Sequence, residues 1–317
     1  MSEFDFDTEG KSVVERWGSL IEGKVSSCPY CASEGGLGGA TALALASARP
    51  SHLILLARTE NKVRTAVSTI KEISPETQPA FVHIELDDLD SVRRAAADVL
   101  SLTSKIDVLI NNAGVMAIPW SKSKSGLEKT LAINNIGHFL LTKLLMPSIL
   151  AAGPGSRIVN VTSAGYRMTP FFFDDWNFSD GQTYHPLAAY GQSKTANILF
   201  TVGLAQRYKE HDILSYAAHP GYIPGTSLLL HGPDLDPSTM DEVARKNTGF
   251  PFGPDPPKSL EQGISTTLVA ALSPELTDAS GAYMEDCQVC EARECARDPK
   301  LADRLWSLSE RLASEAF

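Results

Sequence analysis

Gly35-Gly36-Leu37-Gly38-Gly39-Ala40-Thr41-Ala42-Leu43-Ala44-Leu45 is a glycine-rich turn that runs directly into an apolar helical stretch, and Leu53-Ile54-Leu55-Leu56 follows soon after. Turn, helix and strand in that order open an α/β unit. Bare backbone N–H groups at the start of such a helix, with its positive dipole end, suit an anion such as a pyrophosphate. By itself a glycine cluster is as often only a tight turn, so the reading depends on its surroundings.

Outward from this stretch the chain alternates. The apolar runs Phe81-Val82-His83-Ile84, Val108-Leu109-Ile110, Ile158-Val159-Asn160-Val161 and Ile213-Leu214-Ser215-Tyr216-Ala217 are short, and helical periodicity is clearest over 40–48, 92–100, 127–149 and 190–208. Strands apolar on both faces and spaced by helices predict an α/β fold, a doubly wound parallel sheet of Rossmann type in a single domain. Residues 1–22 read as an N-terminal extension, in which Val13-Val14-Glu15-Arg16-Trp17 and Leu20-Ile21 suit a short amphipathic helix. Residues 23–317 read as the nucleotide-binding domain. Two segments near 166–187 and 227–257 break the rhythm with Pro, Gly, Asp and aromatics. They are expected as loops or small helices beyond the carboxyl ends of the strands, where open α/β sheets hold their ligands.

Bulk properties narrow the function. A formal charge of -10 disfavours nucleic acid or an anionic membrane as a partner bound by charge. No apolar run approaches the roughly 20 residues of a membrane span, and the acidic start Met1-Ser2-Glu3-Phe4-Asp5 is unlike a secretory signal, so a cytoplasmic protein is expected. Five cysteines are an odd number for a disulfide scaffold. Cys28-Pro29-Tyr30-Cys31 has the form of a dithiol motif, and Cys287-Gln288-Val289-Cys290 adds a second pair. A zinc site would need the pairs adjacent in space, and no metal is assigned.

The chemistry starts from Tyr190-Gly191-Gln192-Ser193-Lys194, which puts a phenol and an ammonium on one face of a helix. A nearby cation favours the phenolate, lowering a pKa that is otherwise about 10 and fitting Tyr190 to exchange a proton with an alcohol. Asn111-Asn112-Ala113-Gly114 follows the fourth strand, Asn134 lies in Asn134-Asn135-Ile136-Gly137-His138-Phe139, Thr162-Ser163 closes the next strand, and His219-Pro220-Gly221 follows the one after, with Thr226 beyond. The second strand ends in Ala57-Arg58-Thr59, where NAD-selective folds place an acid; an Arg favours the 2′-phosphate of NADP over NAD. Glu85 at the next strand end is a candidate contact for adenine. His138 and His219 read as packing or turn residues.

In this order, these motifs resemble the short-chain dehydrogenase/reductase family, with the retinol-dehydrogenase-like branch nearest through Gly137-His138-Phe139-Leu140-Leu141-Thr142 and Trp306-Ser307-Leu308-Ser309-Glu310. The resemblance implies Tyr190 as general acid/base, Lys194 on the nicotinamide ribose, Ser163 on the substrate oxygen and Asn134 holding a water behind Lys194. It implies Gly36, Leu37 and Gly38 around the pyrophosphate, Asn112 and Gly114 on the adenine-ribose side, and Ile223 and Thr226 at the nicotinamide half. It also implies pairing of two copies through the helices bearing Asn134 and Tyr190. The expected activity is NADP-dependent interconversion of a carbonyl and an alcohol on a small, mainly apolar molecule, with Phe171-Phe172-Phe173 and Trp176 as candidate pocket walls.

One stretch departs from the family pattern. Ser26-Ser27-Cys28-Pro29 stands where an apolar run belongs, and the family's first glycine falls on Cys31 or Ala32. A side chain there crowds the phosphate turn, and proline is rarely tolerated in a central strand. The rival reading is therefore a non-catalytic dinucleotide-binding or interaction protein with a damaged turn.

Overall fold

The computed structural model describes residues 3–29, 35–226, 228 and 236–314. Tyr30, Cys31 and Ala32, and with them the first-glycine position, lie outside the described residues.

Eight strands form one sheet in the order β3-β2-β1-β4-β5-β6-β7-β8. They are β1 Val25–Pro29, β2 His52–Ala57, β3 Gln78–His83, β4 Val108–Asn111, β5 Arg157–Val161, β6 Leu214–Ala218, β7 Tyr283–Glu285 and β8 Gln288–Cys290. Neighbours run parallel except in the β7–β8 hairpin. The helices are α1 Gly10–Trp17, α2 Leu37–Ala46, α3 Asn61–Ile73, α4 Leu89–Leu102, α5 Lys129–Leu131, α6 Gly137–Ala152, α7 Pro186–Arg207, α8 Pro237–Thr248, α9 Leu260–Leu272, α10 Glu294–Arg297 and α11 Pro299–Ala313.

Strand alternation builds two cores, one on each face. In β2, Leu53 and Leu55 pack with α1, α2, α3 and α9, while Ile54 and Leu56 pack with α4, α6, α7 and α11. The chain crosses from the β3-β2-β1 half to the β4-β5-β6 half between β1 and β4, and that reversal opens a crevice at the carboxyl ends of the strands.

Three expectations bear on the fold. Proline was expected to be poorly tolerated in the first strand; the strand forms with Pro29 as its last residue, opposite Leu56. The missing N–H therefore falls at a strand end, where it removes least from the ladder. Residues Lys129–Ala152 form a helical stretch that by length and composition alone could cross a bilayer. It is a core helix, with Ile136, Phe139, Leu140, Leu141 and Leu145 wholly buried. Part of the surface of α6 and α7, the helices through which pairing was expected, is covered within the chain. Trp306 of α11 packs on Phe139 at 5.2 Å and Phe200 at 5.9 Å, and Arg207 stacks on its other side at 4.1 Å.

The irregular segments resolve as small helices and turns. Residues 166–187 run through short 3-10 turns, and 236–257 contain α8, begun by an Asp236 side-chain cap and ended by Gly249.

Candidate active site

A cleft of about 1190 Å³ lies at the crevice between the two halves of the sheet. At one end, Gly36 caps α2 in an extended conformation and Gly35 takes φ +74°, a left-handed turn that favours glycine. The first turn of α2, Gly36-Leu37-Gly38, therefore faces the cleft with its amides unpaired by the helix. Arg58, just past β2, lines the same end. Asn112 and Gly114 continue the wall past β4, and Ile223 and Thr226 complete it past β6. An anionic dinucleotide fits this donor set: helix amides and a guanidinium at one end, with amide and hydroxyl groups along the rest. The volume exceeds the 300–1,000 Å³ usual for a small ligand alone.

Glu85 does not line the cleft. Its carboxylate is held by Lys124, which lowers its pKa, and it also faces His83. Asp87 stands at the cleft instead, paired with Lys129 at 3.5 Å.

The other end holds the titratable centre. Pro186 at the first turn of α7 pre-sets a long helix that projects Tyr190 and Lys194 into the cleft, both buried. Gly165 makes room for the phenol, since a β-carbon there would stand 2.6 Å from the Tyr190 ring. The Ser163 hydroxyl lies close enough to the phenol to favour its ionised form, and it accepts the Gly165 amide at 3.1 Å. Thr162 turns away and donates to the Lys194 carbonyl at 2.9 Å, so Ser163 is the hydroxyl that meets Tyr190. The Lys194 ammonium donates to the Val161 carbonyl at 3.0 Å and lies 5.7 Å from the phenol ring centroid.

Burial dominates the electrostatics here. It pushes the Tyr190 phenol up to about 12, opposed by Ser163 and reinforced by the charge of Asp255. It pushes Lys194 down to about 8. The expected lowering of the phenol by Lys194 is thus absent: burial raises the phenol, and Lys194 is not among the groups that act on it.

Asn134 sits in a π-helical turn, Ala132–Ile136, between α5 and α6. Such turns concentrate at functional sites. Its Nδ2 donates to the Val115 carbonyl and the Ser193 hydroxyl, each at 2.9 Å, and its Oδ1 accepts the Val115 amide at 2.8 Å. Its side chain thereby ties the turn after β4 to α7. Buried Glu128 supports it by capping α5 through the Thr130 and Leu131 amides, each at 2.7 Å.

His138 matches its expected packing role: it is buried, with Nδ1 on the Asn134 carbonyl at 3.1 Å, and burial lowers it to about 4. His219 does more than pack, because it faces Asp255 on the cleft wall. Phe171-Phe172-Phe173 do not wall this cleft. They line a separate cavity of about 550 Å³ with Phe178, Lys246 and Arg304, and Trp176 lines neither. The cleft's apolar walls are instead Met116, Ile118, Trp120, Met168, Met240 and Phe252, supplied by loops, a 3-10 turn and α8. Among the described residues no group of three His, Cys, Asp or Glu is placed to hold a metal, and Cys287, Cys290 and Cys295 are free thiols.

Known proteins show the same pattern. The short chain dehydrogenase family matches over residues 30–174. The chain is 36% identical over 291 residues to the short-chain dehydrogenase/reductase prx1 of Penicillium roqueforti, covering 87% of this chain and 82% of that one. It is 34% identical over 274 residues to retinol dehydrogenase 12 of Homo sapiens, covering 86% and 82%. A solved structure of an uncharacterized Mycobacterium Paratuberculosis protein superposes with a TM-score of 0.71 at 29% identity, over 94% of this chain and 96% of that one.

Proposed function

Since the chain belongs to the short-chain dehydrogenase/reductase family and is an alcohol/carbonyl oxidoreductase, we propose that it uses NADP to reduce the carbonyl of a small, mainly apolar molecule. The observation carrying this reading is the meeting of Tyr190, Ser163 and Lys194 in one cleft whose far end holds α2 and Arg58. When bound, the nicotinamide supplies the hydride. Ser163 holds the substrate oxygen and Tyr190 protonates it; a phenol held at about 12 stays protonated at neutral pH, which suits the reductive direction. Lys194 keeps donors in reach of the ribose side, and Asn134 acts as a positioning residue that fixes Val115 and Ser193. Arg58 takes the 2′-phosphate, where an acidic residue would repel it. The rival, non-catalytic reading is not favoured, since the phenol, hydroxyl and ammonium are all present and converge.

Titration with NADPH and NADH, followed by nicotinamide fluorescence, tests the cofactor. NADPH is expected to bind tighter, and Arg58→Ala to weaken NADPH about tenfold or more while changing NADH little, as loss of a charge-assisted contact does. Tighter binding of NADH to the unaltered protein, or binding of neither, overturns the NADP reading.

A further inference from the structure

Apart from the catalytic groups, the substrate end of the cleft is mainly apolar and carries one carboxylate. Met116, Met168, Leu228, Met240 and Phe252 cluster around Tyr190, and Asp255 lies three residues after Phe252 in the same cleft lining. Of the two carboxylates on the cleft lining, Asp87 lies at the adenine end paired with Lys129, leaving Asp255 at the substrate end.

Asp255 is held in place. Arg167 donates to the Pro254 carbonyl at 3.3 Å, Arg293 to the Pro251 carbonyl at 2.6 Å, and the Phe252 amide to Asp241 at 3.0 Å. His219 does the aiming. Its Nδ1 accepts the amides of Ala164 at 3.2 Å and Gly221 at 3.3 Å, which places the ring proton on Nε2, 3.3 Å from Asp255 Oδ1. The imidazole is therefore a neutral donor to the carboxylate, not its counter-ion. The nearby cations are engaged elsewhere, Arg167 with Glu285 at 2.6 Å and Lys258 with Asp286 at 2.6 Å. Among the described residues Asp255 Oδ2 has no hydrogen-bond partner. The side chain is 17% exposed, and a carboxylate so placed, with one neutral donor, gains from a further donor supplied by a ligand. Its charge already acts on the Tyr190 phenol, so the two groups sit within one substrate's reach.

We propose that Asp255 selects the substrate: the carbonyl compound reduced here carries a second polar group, a hydroxyl or ammonium, that donates a hydrogen bond to Asp255 Oδ2. This rests on the oxidoreductase reading above and names the substrate class for the same site. His219 is its positioning residue.

Three matched ketones test it: benzylacetone, its terminal hydroxyl counterpart and its terminal ammonium counterpart. Reduction is followed with NADPH, and binding by quenching of tryptophan fluorescence, to which cleft-lining Trp120 contributes. The two donor-bearing ketones are expected to exceed benzylacetone in kcat/KM and in affinity by about ten- to a hundredfold, the range for a hydrogen bond to a charged group. Asp255→Asn keeps an acceptor and removes the charge, so it abolishes the ammonium preference and retains part of the hydroxyl preference. Asp255→Leu abolishes both. Equal use of all three ketones by the unaltered protein, or a preference that survives in Asp255→Leu, overturns the inference. Should no ketone be reduced while the binding preference holds and falls in the variants, the oxidoreductase reading fails and the role of Asp255 stands.

Discussion

The two ends of the cleft are built differently. At the catalytic end, each polar group is fixed by a partner from another element: Asn134 joins Val115 to Ser193, Thr162 joins β5 to α7, and Ser163 meets Tyr190. At the phosphate end the fixed parts are β1, laddered to β2 across all five residues, and the Gly36 cap of α2, while the sequence between departs from the family. The catalytic end thus carries chemistry that depends on sub-ångström placement, and the phosphate end sets how firmly the cofactor is held. Changes at one end should alter turnover without affinity, and at the other affinity without turnover.

The largest effect expected from that division is at Tyr190. Tyr190→Phe removes the proton donor while keeping the ring that fills the space beside Gly165. Turnover should fall about 10²- to 10⁴-fold, the usual contribution of general acid catalysis, with NADPH affinity changed less than about twofold. A matching loss of NADPH affinity would show that the two ends do not act separately.

A second effect concerns stability, and it belongs to the catalytic end. His138 lies on α6 against the Asn134 carbonyl, and its pKa of about 4 comes first from burial, with the Lys194 charge acting in the same direction. Its folded pKa lies below the ordinary value near 6.5, so between these the unfolded chain takes up a proton that the native chain refuses. Stability present above about pH 6.5 is lost as pH falls towards 4, by on the order of 3 kcal/mol. Urea unfolding across this range should show the loss in the unaltered protein and a clearly smaller one in His138→Gln. An equal slope in both would assign the acid sensitivity to other groups.

The same contrast explains what the sequence made legible. The parallel sheet could be read because each strand is a short apolar run, and Tyr190 with Lys194 because their spacing is local; Ser163 and Asn134, far from them along the chain, were reached only through the resemblance to the family. The pairing of Asp255 with His219 could not, since it joins the turn after β6 to the irregular stretch after α8, and no sequence period links the two. Glu85 was placed correctly at a strand end, but its direction is set by Lys124, far along the chain. Phe171–173 were correctly read as apolar and wrongly assigned to the cleft, because composition does not say which way a loop turns; Arg304 of α11 lies over Phe173 at 4.4 Å in the other cavity. The β7–β8 hairpin was missed because two strands of three residues each leave almost no alternation to count.

The smallest expected effect isolates the phosphate end. Pro29 closes β1 opposite Leu56 and has no N–H to offer there. Pro29→Val restores the donor and a residue suited to strands, and should stabilise the protein by about 1 kcal/mol, the value of one backbone hydrogen bond, as read from the urea midpoint. The NADPH titration of the same variant then decides what the departure costs. Tighter NADPH binding would show that the end of β1 governs the phosphate turn, so that the two ends differ because one strand is poorly finished. Greater stability with unchanged NADPH affinity would separate strand from turn, and would assign any weakness in cofactor binding to the side chains of Cys31 or Ala32, where the family has glycine.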